Sequence, residues 1–259
     1  MKLFYREYGQ GIPFIILHGL FGISDNWSTF GKLLKDKYHV YIPDMRNHGR
    51  SPHSPVFDFP SMAEDIKEFI EELGLDDPIL MGHSLGGKVA MLLALNNPDL
   101  LNKLIIVDVS PRKYTQNTEH LQLLNAMLST DLSIAHSRSD VENQMKDKIK
   151  NQRLRQFILK NIYWKDNDKL DWRLNLPVVN ANLPLMFGGI ESVASFTKPT
   201  LFIRGELSDY IKENDIEIIR KNFPEAIIKT LASAGHWAHA DAPEEFYSTV
   251  TDFLNTSSH

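Results

Sequence analysis

Apolar and polar positions follow two rhythms along the first 110 residues. Apolar runs at residues 3–8, 14–17, 38–43, 78–81 and 104–109 have the length and flanks of strands. Between them, residues 26–34, 61–73 and 86–95 carry the amphipathic or apolar patterns of helices. Gly9, Gln10 and Gly11 mark a turn between the first two strands. Ser61, followed three residues later by Glu64, reads as a capping box that opens the second helix, and Gly74 closes it. Alternating strands and helices predict a mostly parallel sheet with helices on both faces.

The rhythm breaks at Pro111. Residues 111–198 read as helical, charged and irregular, with Trp164, Trp172 and Phe187 scattered through them. Alternation resumes with a strand at 200–204, a helix near 215–222, a strand at 226–231 and a last helix at 243–254. The expected organisation is an α/β core of residues 1–110 and 199–259. A helical cap subdomain, residues 111–198, is inserted between two of its strands. Open α/β sheets carry their sites at the carboxyl ends of the strands, so such an insertion would cover the site.

Composition narrows the class. A chain of 259 residues, 42% hydrophobic, can bury one substantial core. A net charge of −5 offers nucleic acid no basic field. The Lys and Arg residues of 138–173 are interleaved with Asp and Glu, as on solvated helix faces. The absence of cysteine removes disulfides, thiolate metal sites and thiol nucleophiles. Glu7 and Gln10 interrupt the N-terminus before any long apolar run, unlike a signal peptide. The most apolar stretch, residues 78–95, is broken by Gly82, His83, Ser84 and Lys88 and does not read as a membrane span. A cytoplasmic protein is the expectation.

The strongest chemical signal is GHSLG, residues 82–86, a G-x-S-x-G between a strand and a helix. Such a turn holds its serine strained and exposed at the top of a sheet, so Ser84 is a candidate nucleophile. The amide of Leu85, at the start of the helix, can donate to a developing oxyanion. HGLFG, residues 18–22, follows the strand at 14–17 and can supply a second donor. The Leu20 amide is the first candidate there, ahead of Phe21. His18 reads as a hydrogen-bonding residue of its own loop.

A base is expected late in the chain, and SAGHWAHADAPEEF, residues 233–246, holds His236 and His239. His236 lies on the loop between strand and final helix, where it can reach Ser84. His239, nearer the helix, reads as a packing residue. No third ligand is spaced to make a metal site of the pair. Asp44 and Arg46 read as residues that hold the loop after 38–43 together, and Asp25 as a cap on the helix near Trp27.

These segments together resemble the α/β-hydrolase superfamily. More narrowly, HGLFGISDNW, PDMRNHGRSPHS, GHSLGGKVAM, VDVSP and AGHWAHADAPEEF are similar to the YbfF-type esterases and their eukaryotic α/β-hydrolase-domain relatives. The likeness covers nearly the whole chain and is weakest in the cap. It implies hydrolysis of a small-molecule carboxylic ester with a short acyl chain, without cofactor or metal.

The acid has two candidates. Superfamily members usually carry G-x-x-D after the strand that follows the cap, but here Gly205-Glu206-Leu207 leads to Ser208. Asp209 is displaced by one residue, which in an extended segment aims its side chain elsewhere. Asp108 ends an earlier apolar strand, at the carboxyl end of the sheet, and the resemblance places the acid there. Asp108 is therefore assigned as the acid and Ser208 as a hydrogen-bonding partner near His236, with Asp209 the rival. The expected function is a serine carboxylesterase working through Ser84, His236 and Asp108 and an acyl-enzyme, on chains of about two to six carbons. A thioesterase or carbon–carbon bond hydrolase with the same residues, or a non-catalytic ligand-binding protein on this fold, are the alternatives.

Overall fold

The computed structural model describes residues 1–115, 118–166 and 169–256. Strands β1 (Tyr5–Tyr8) and β2 (Ile12–Leu17) precede α1 (Ser28–Leu34). Then come β3 (Tyr38–Pro43), α2 (Phe59–Glu72), β4 (Ile79–His83), α3 (Leu85–Asn96) and β5 (Lys103–Val107). An insertion follows, with helices α4 (Thr118–Leu128), α5 (Arg138–Met145) and α6 (Gln152–Leu159), a hairpin of β6 (Ile162–Asp166) and β7 (Lys169–Trp172), and α7 (Leu176–Asn182). The chain returns to the sheet with β8 (Thr200–Gly205), α8 (Asp215–Asn222), β9 (Ala226–Leu231), α9 (Ala238–Asp241) and α10 (Pro243–Asn255).

Among the described residues, seven strands form one sheet in the order β1-β3-β2-β4-β5-β8-β9. Only β1 runs antiparallel to its neighbour. The pleat divides each central strand between two cores. On β2, Ile15 and Leu17 face a core shared with Ile66 of α2 and Val89 of α3. Phe14 and Ile16 face a second core, shared with Phe30 of α1 and Phe246 of α10. All four β2 side chains are fully buried, which explains why the run is continuously apolar. Each such side chain contributes roughly 1.5–3 kcal/mol through burial.

Several local expectations need correction. The second helix begins at Phe59, and its N-cap is Asp58, whose carboxylate accepts from the Ser61 amide at 2.8 Å. Pro60 sits in the first turn, where a missing N–H costs nothing, so the helix starts before Ser61 and the expected capping box lies inside it. Asp25 caps no helix; it lies within a 3-10 turn, Ser24–Trp27, and pairs with Arg6 at 3.0 Å. Residues 111–198 are not purely helical, because Ile162, Tyr163 and Trp164 favour a strand and pair with Trp172, Asp171 and Leu170.

The insertion shares the hydrophobic cluster of α2 and α3 and is tied to the core by polar anchors as well. Lys88, on α3, is buried and donates from Nζ to the carbonyls of Pro111 (3.1 Å), Arg112 (2.5 Å) and Gly188 (2.9 Å). One ammonium thus holds both ends of the insertion. Asn161 donates to the Phe21 carbonyl at 2.8 Å, and Asn175 reaches Asn47 Oδ1 at 2.9 Å.

Candidate active site

β4 turns into α3 through a single residue, Ser84, whose φ of 52° and ψ of −116° lie in a region disfavoured for side chains. The turn is tight because two glycines flank it. A Cβ on Gly82 would come within 2.3 Å of the Gly86 carbonyl oxygen, and one on Gly86 within 2.6 Å of the Leu17 oxygen. The Ser84 amide continues the ladder to the Val107 carbonyl at 3.1 Å, so the sheet itself holds the strained residue.

His236 lies on the loop between β9 and α9. Its Nε2 is 3.1 Å from Ser84 Oγ, and its Nδ1 is 2.7 Å from Asp108 Oδ2. Asp108 follows β5, is fully buried, has a φ of 49°, and accepts at Oδ1 from the Gly205 amide at 3.1 Å. The Ser208 hydroxyl donates to its Oδ2. The side chain of Asp209 is 94% exposed and pairs with Lys212 at 3.2 Å. The structure therefore joins Ser84, His236, Asp108 and Ser208 in one hydrogen-bonded chain and leaves Asp209 outside it.

Leu85 begins α3, and Leu20 lies in the turn after β2. The Phe21 amide is engaged by His48 Nε2 at 3.2 Å, and no acceptor for the Leu20 amide occurs among the described residues. His18 is buried and works in its loop as expected: Nδ1 meets the Gly19 carbonyl at 2.9 Å. It also accepts from the Met45 amide at 3.0 Å through Nε2. His239 stacks on Trp27 with ring centroids 4.0 Å apart. Asp44 accepts from the amides of Ser24 (2.5 Å) and Arg50 (2.8 Å), while Arg46 pairs with buried Asp65 at 2.6 Å.

Three neighbours of the imidazole were not legible in the sequence. His83 donates from Nε2 to the His236 carbonyl at 2.8 Å, linking the serine's strand to the histidine's loop across 153 positions. Tyr210 lies flat on the His236 ring, with centroids 3.9 Å apart and planes 17° from parallel. His120, from α4, faces Phe21 and Phe187 at ring-centroid distances of 5.9 and 5.7 Å. Burial holds the nearby histidines neutral: His18 falls to about 4, His48, His120 and His239 to about 3, and His83 well below its usual value.

Three spaces meet the serine or the histidine. One of about 20 Å³ touches both, between Leu20, His120 and Trp237, and a second of about 20 Å³ is lined by Ser84, Leu20, Leu85, Val109 and Phe187. A cleft of about 980 Å³ opens from the His236 side between the insertion and the core, past Trp237, Phe157, Asn151 and Arg153. No cluster of three or more potential metal ligands occurs among the described residues, and none of their helices is long and apolar enough to cross a membrane.

A strained serine at a strand–helix turn, on this sheet, defines a hydrolase architecture, and comparison with known proteins agrees. The family model for the alpha/beta hydrolase fold matches residues 12–131. The esterase YbfF of Escherichia coli is 32% identical over 94% of this chain and 93% of its own length. The sn-1-specific diacylglycerol lipase ABHD11 of Danio rerio is 36% identical over 95% of this chain and 79% of its own. A solved marine microorganism esterase superposes with a TM-score of 0.95 at 42% identity, covering 98% of this chain and 99% of its own. The chain belongs to the α/β-hydrolase fold family, within the group of YbfF-like esterases. It is a carboxylic ester hydrolase.

Proposed function

We propose that the chain is a serine esterase for short-chain acyl esters, with Ser84 as nucleophile, His236 as base and Asp108 as acid. The observation that carries this reading is the unbroken path from Ser84 Oγ through the imidazole to Asp108. His236 Nε2 takes the proton from Ser84 Oγ as the oxygen attacks the ester carbonyl. The amides of Leu20 and Leu85 stabilise the oxyanion. His236 then protonates the leaving alkoxide oxygen, the carbon–oxygen bond breaks, and the acyl group stays on Ser84. Water, activated by the same imidazole, releases the acid and restores the serine. Asp108 keeps Nδ1 protonated and stabilises the imidazolium, and Ser208 orients the carboxylate.

The leaving oxygen must lie on the His236 side to receive its proton. The alcohol portion then points into the large cleft and the acyl portion into the small apolar hollow. A hollow this small favours the short end of the two-to-six-carbon range, with the insertion, residues 111–198, acting as a cap over both spaces. An alkyl fluorophosphonate should label Ser84 and abolish ester hydrolysis. Intact mass without an adduct, together with full activity of Ser84→Ala, would overturn the reading. A kcat/KM that climbs steadily to long acyl chains would overturn the size limit alone.

A further inference from the structure

Beside the large cleft, and sharing Arg138 and Lys160 with it, a second hollow of about 170 Å³ lies between the insertion and the core. Five cations line it: Arg6 and Arg50 from the core, and Arg138, Lys160 and Arg173 from the insertion. Two carboxylates face them, and both are engaged. Asp25 pairs with Arg6 at 3.0 Å and with Lys160 at 3.9 Å. Asp44 is buried and accepts from the Ser24 and Arg50 amides. A cluster this basic is out of keeping with a chain of net charge −5.

The guanidiniums of Arg50, Arg138 and Arg173 have no carboxylate partner among the described residues. Arg50 lies over the Phe4 ring at 4.9 Å and Arg173 over the Tyr163 ring at 4.4 Å, so their planes are fixed by aromatic faces. Arg138 spends one N–H on the Ile162 carbonyl. Arg6 adds an independent sign: its Nε is buried and has no hydrogen-bond partner. Burial first, and then the nearby charges of Arg50 and Arg138, depress the pKa of Arg173, against Tyr163 and Asp44, which raise it.

We propose that this hollow is a binding site for a phosphate-class oxyanion that bridges the insertion and the core. A carboxylate has two oxygens and satisfies one guanidinium fork, whereas a tetrahedral oxyanion presents three or four and can meet several forks at once. Because the ligand would touch Arg50 on one side and Arg173 on the other, its binding would hold the insertion against the core. Two of its cations, Arg138 and Lys160, also line the cleft proposed for the alcohol portion, so anion binding is read directly by calorimetry and apart from ester hydrolysis.

Inorganic phosphate, titrated calorimetrically against chloride at matched ionic strength, tests the proposal. Saturable binding of one equivalent is expected, weakened about tenfold or more in Arg50→Gln and in Arg173→Gln, with both variants checked for an unchanged fold by circular dichroism. Lys229→Gln, on the opposite edge of the sheet, should leave the affinity unchanged. No saturable heat, equal affinity in the arginine variants, or equal weakening by Lys229→Gln would each overturn the site. Kinetics then separate the sources of the anion. Phosphate that competes with an acetyl ester carrying a phosphoryl group, but not with a neutral acetate, assigns the site to the substrate. Phosphate that competes with neither assigns it to a free anion.

Discussion

The sheet and the insertion hold their functional groups by opposite means. In the sheet, Ser84 and Asp108 are extensions of neighbouring strands, and the ladder runs through them: the Ser84 amide meets Val107, and the Asp108 amide meets Ile203 at 2.8 Å. Their spacing is set by backbone pairing over fully buried apolar strands. The insertion is instead placed by side chains: its apolar residues, among them Leu124, Val179 and Phe187, join the core cluster of Val89 and Val109, and Lys88, Asn161 and Asn175 add polar anchors. Ser84 and Asp108 are thus placed by backbone pairing, and the insertion by side-chain contacts.

The comparison can be broken at the sheet first. Ser84→Ala should lower kcat by on the order of 10⁴-fold or more while leaving the melting temperature near that of the parent. Asp108→Asn should lose on the order of 10³–10⁴ in kcat, since the amide favours the wrong imidazole tautomer. Asp209→Asn should stay within about tenfold of the parent, and Ser208→Ala should fall between them at about two- to tenfold from loss of one hydrogen bond. A crippled Asp209→Asn beside a healthy Asp108→Asn would reverse the assignment.

At the insertion the expected loss is in stability rather than chemistry. Lys88→Met leaves three carbonyls without their donor, and urea unfolding should register a loss of about 2–4 kcal/mol. Amide exchange should quicken in α4 to α7 and stay slow in β4 and β5. Uniform quickening would mean that Lys88 serves the whole core.

The smallest change expected of a single variant is a slope. In the folded chain the buried histidines titrate near 3–4 or lower, against about 6.5 when unfolded. The unfolded chain therefore binds more protons between these values. Stability is full above pH 6.5 and is lost as pH falls towards 4 and 3, by up to roughly 1.4 kcal/mol per pH unit for each group. His120→Phe should reduce proton uptake on unfolding at pH 5 by about one. An unchanged slope would show that His120 is protonated in the folded chain.

Much of the core was legible because its signals are local. Ser84 sits in a G-x-S-x-G between a readable strand and helix, and the strands of the central sheet are continuous apolar runs. Asp108 could be named because it directly follows a strand at the carboxyl edge and the resemblance implies an acid there, and His236 because it lies on the loop between the last strand and the final helix. The contacts that escaped are those that tertiary structure alone creates. His83 reaches the His236 loop, and Tyr210 covers its ring, without any spacing that advertises either. The start of α2 is ambiguous in the sequence because two N-cap signals compete within four residues, and Pro60 decides in favour of Asp58. The β6–β7 hairpin is hidden by its charge: Lys165, Asp166, Lys169 and Asp171 read as solvated helix, although Ile162, Trp164, Leu170 and Trp172 alternate with period two.

The position of Asp108 has an engineering consequence. Serine and carboxylate both belong to the chain's first 110 residues, at the ends of directly paired strands, before the insertion begins. Their separation does not depend on the length or course of the segment between Val109 and β8. A foreign segment could replace residues 114–187 between the carbonyls that Lys88 grips, and the carboxylate would still meet its serine's strand in the same register. On the proposed assignment of Asp108 as the acid, specificity could be recast there without re-siting the chemistry.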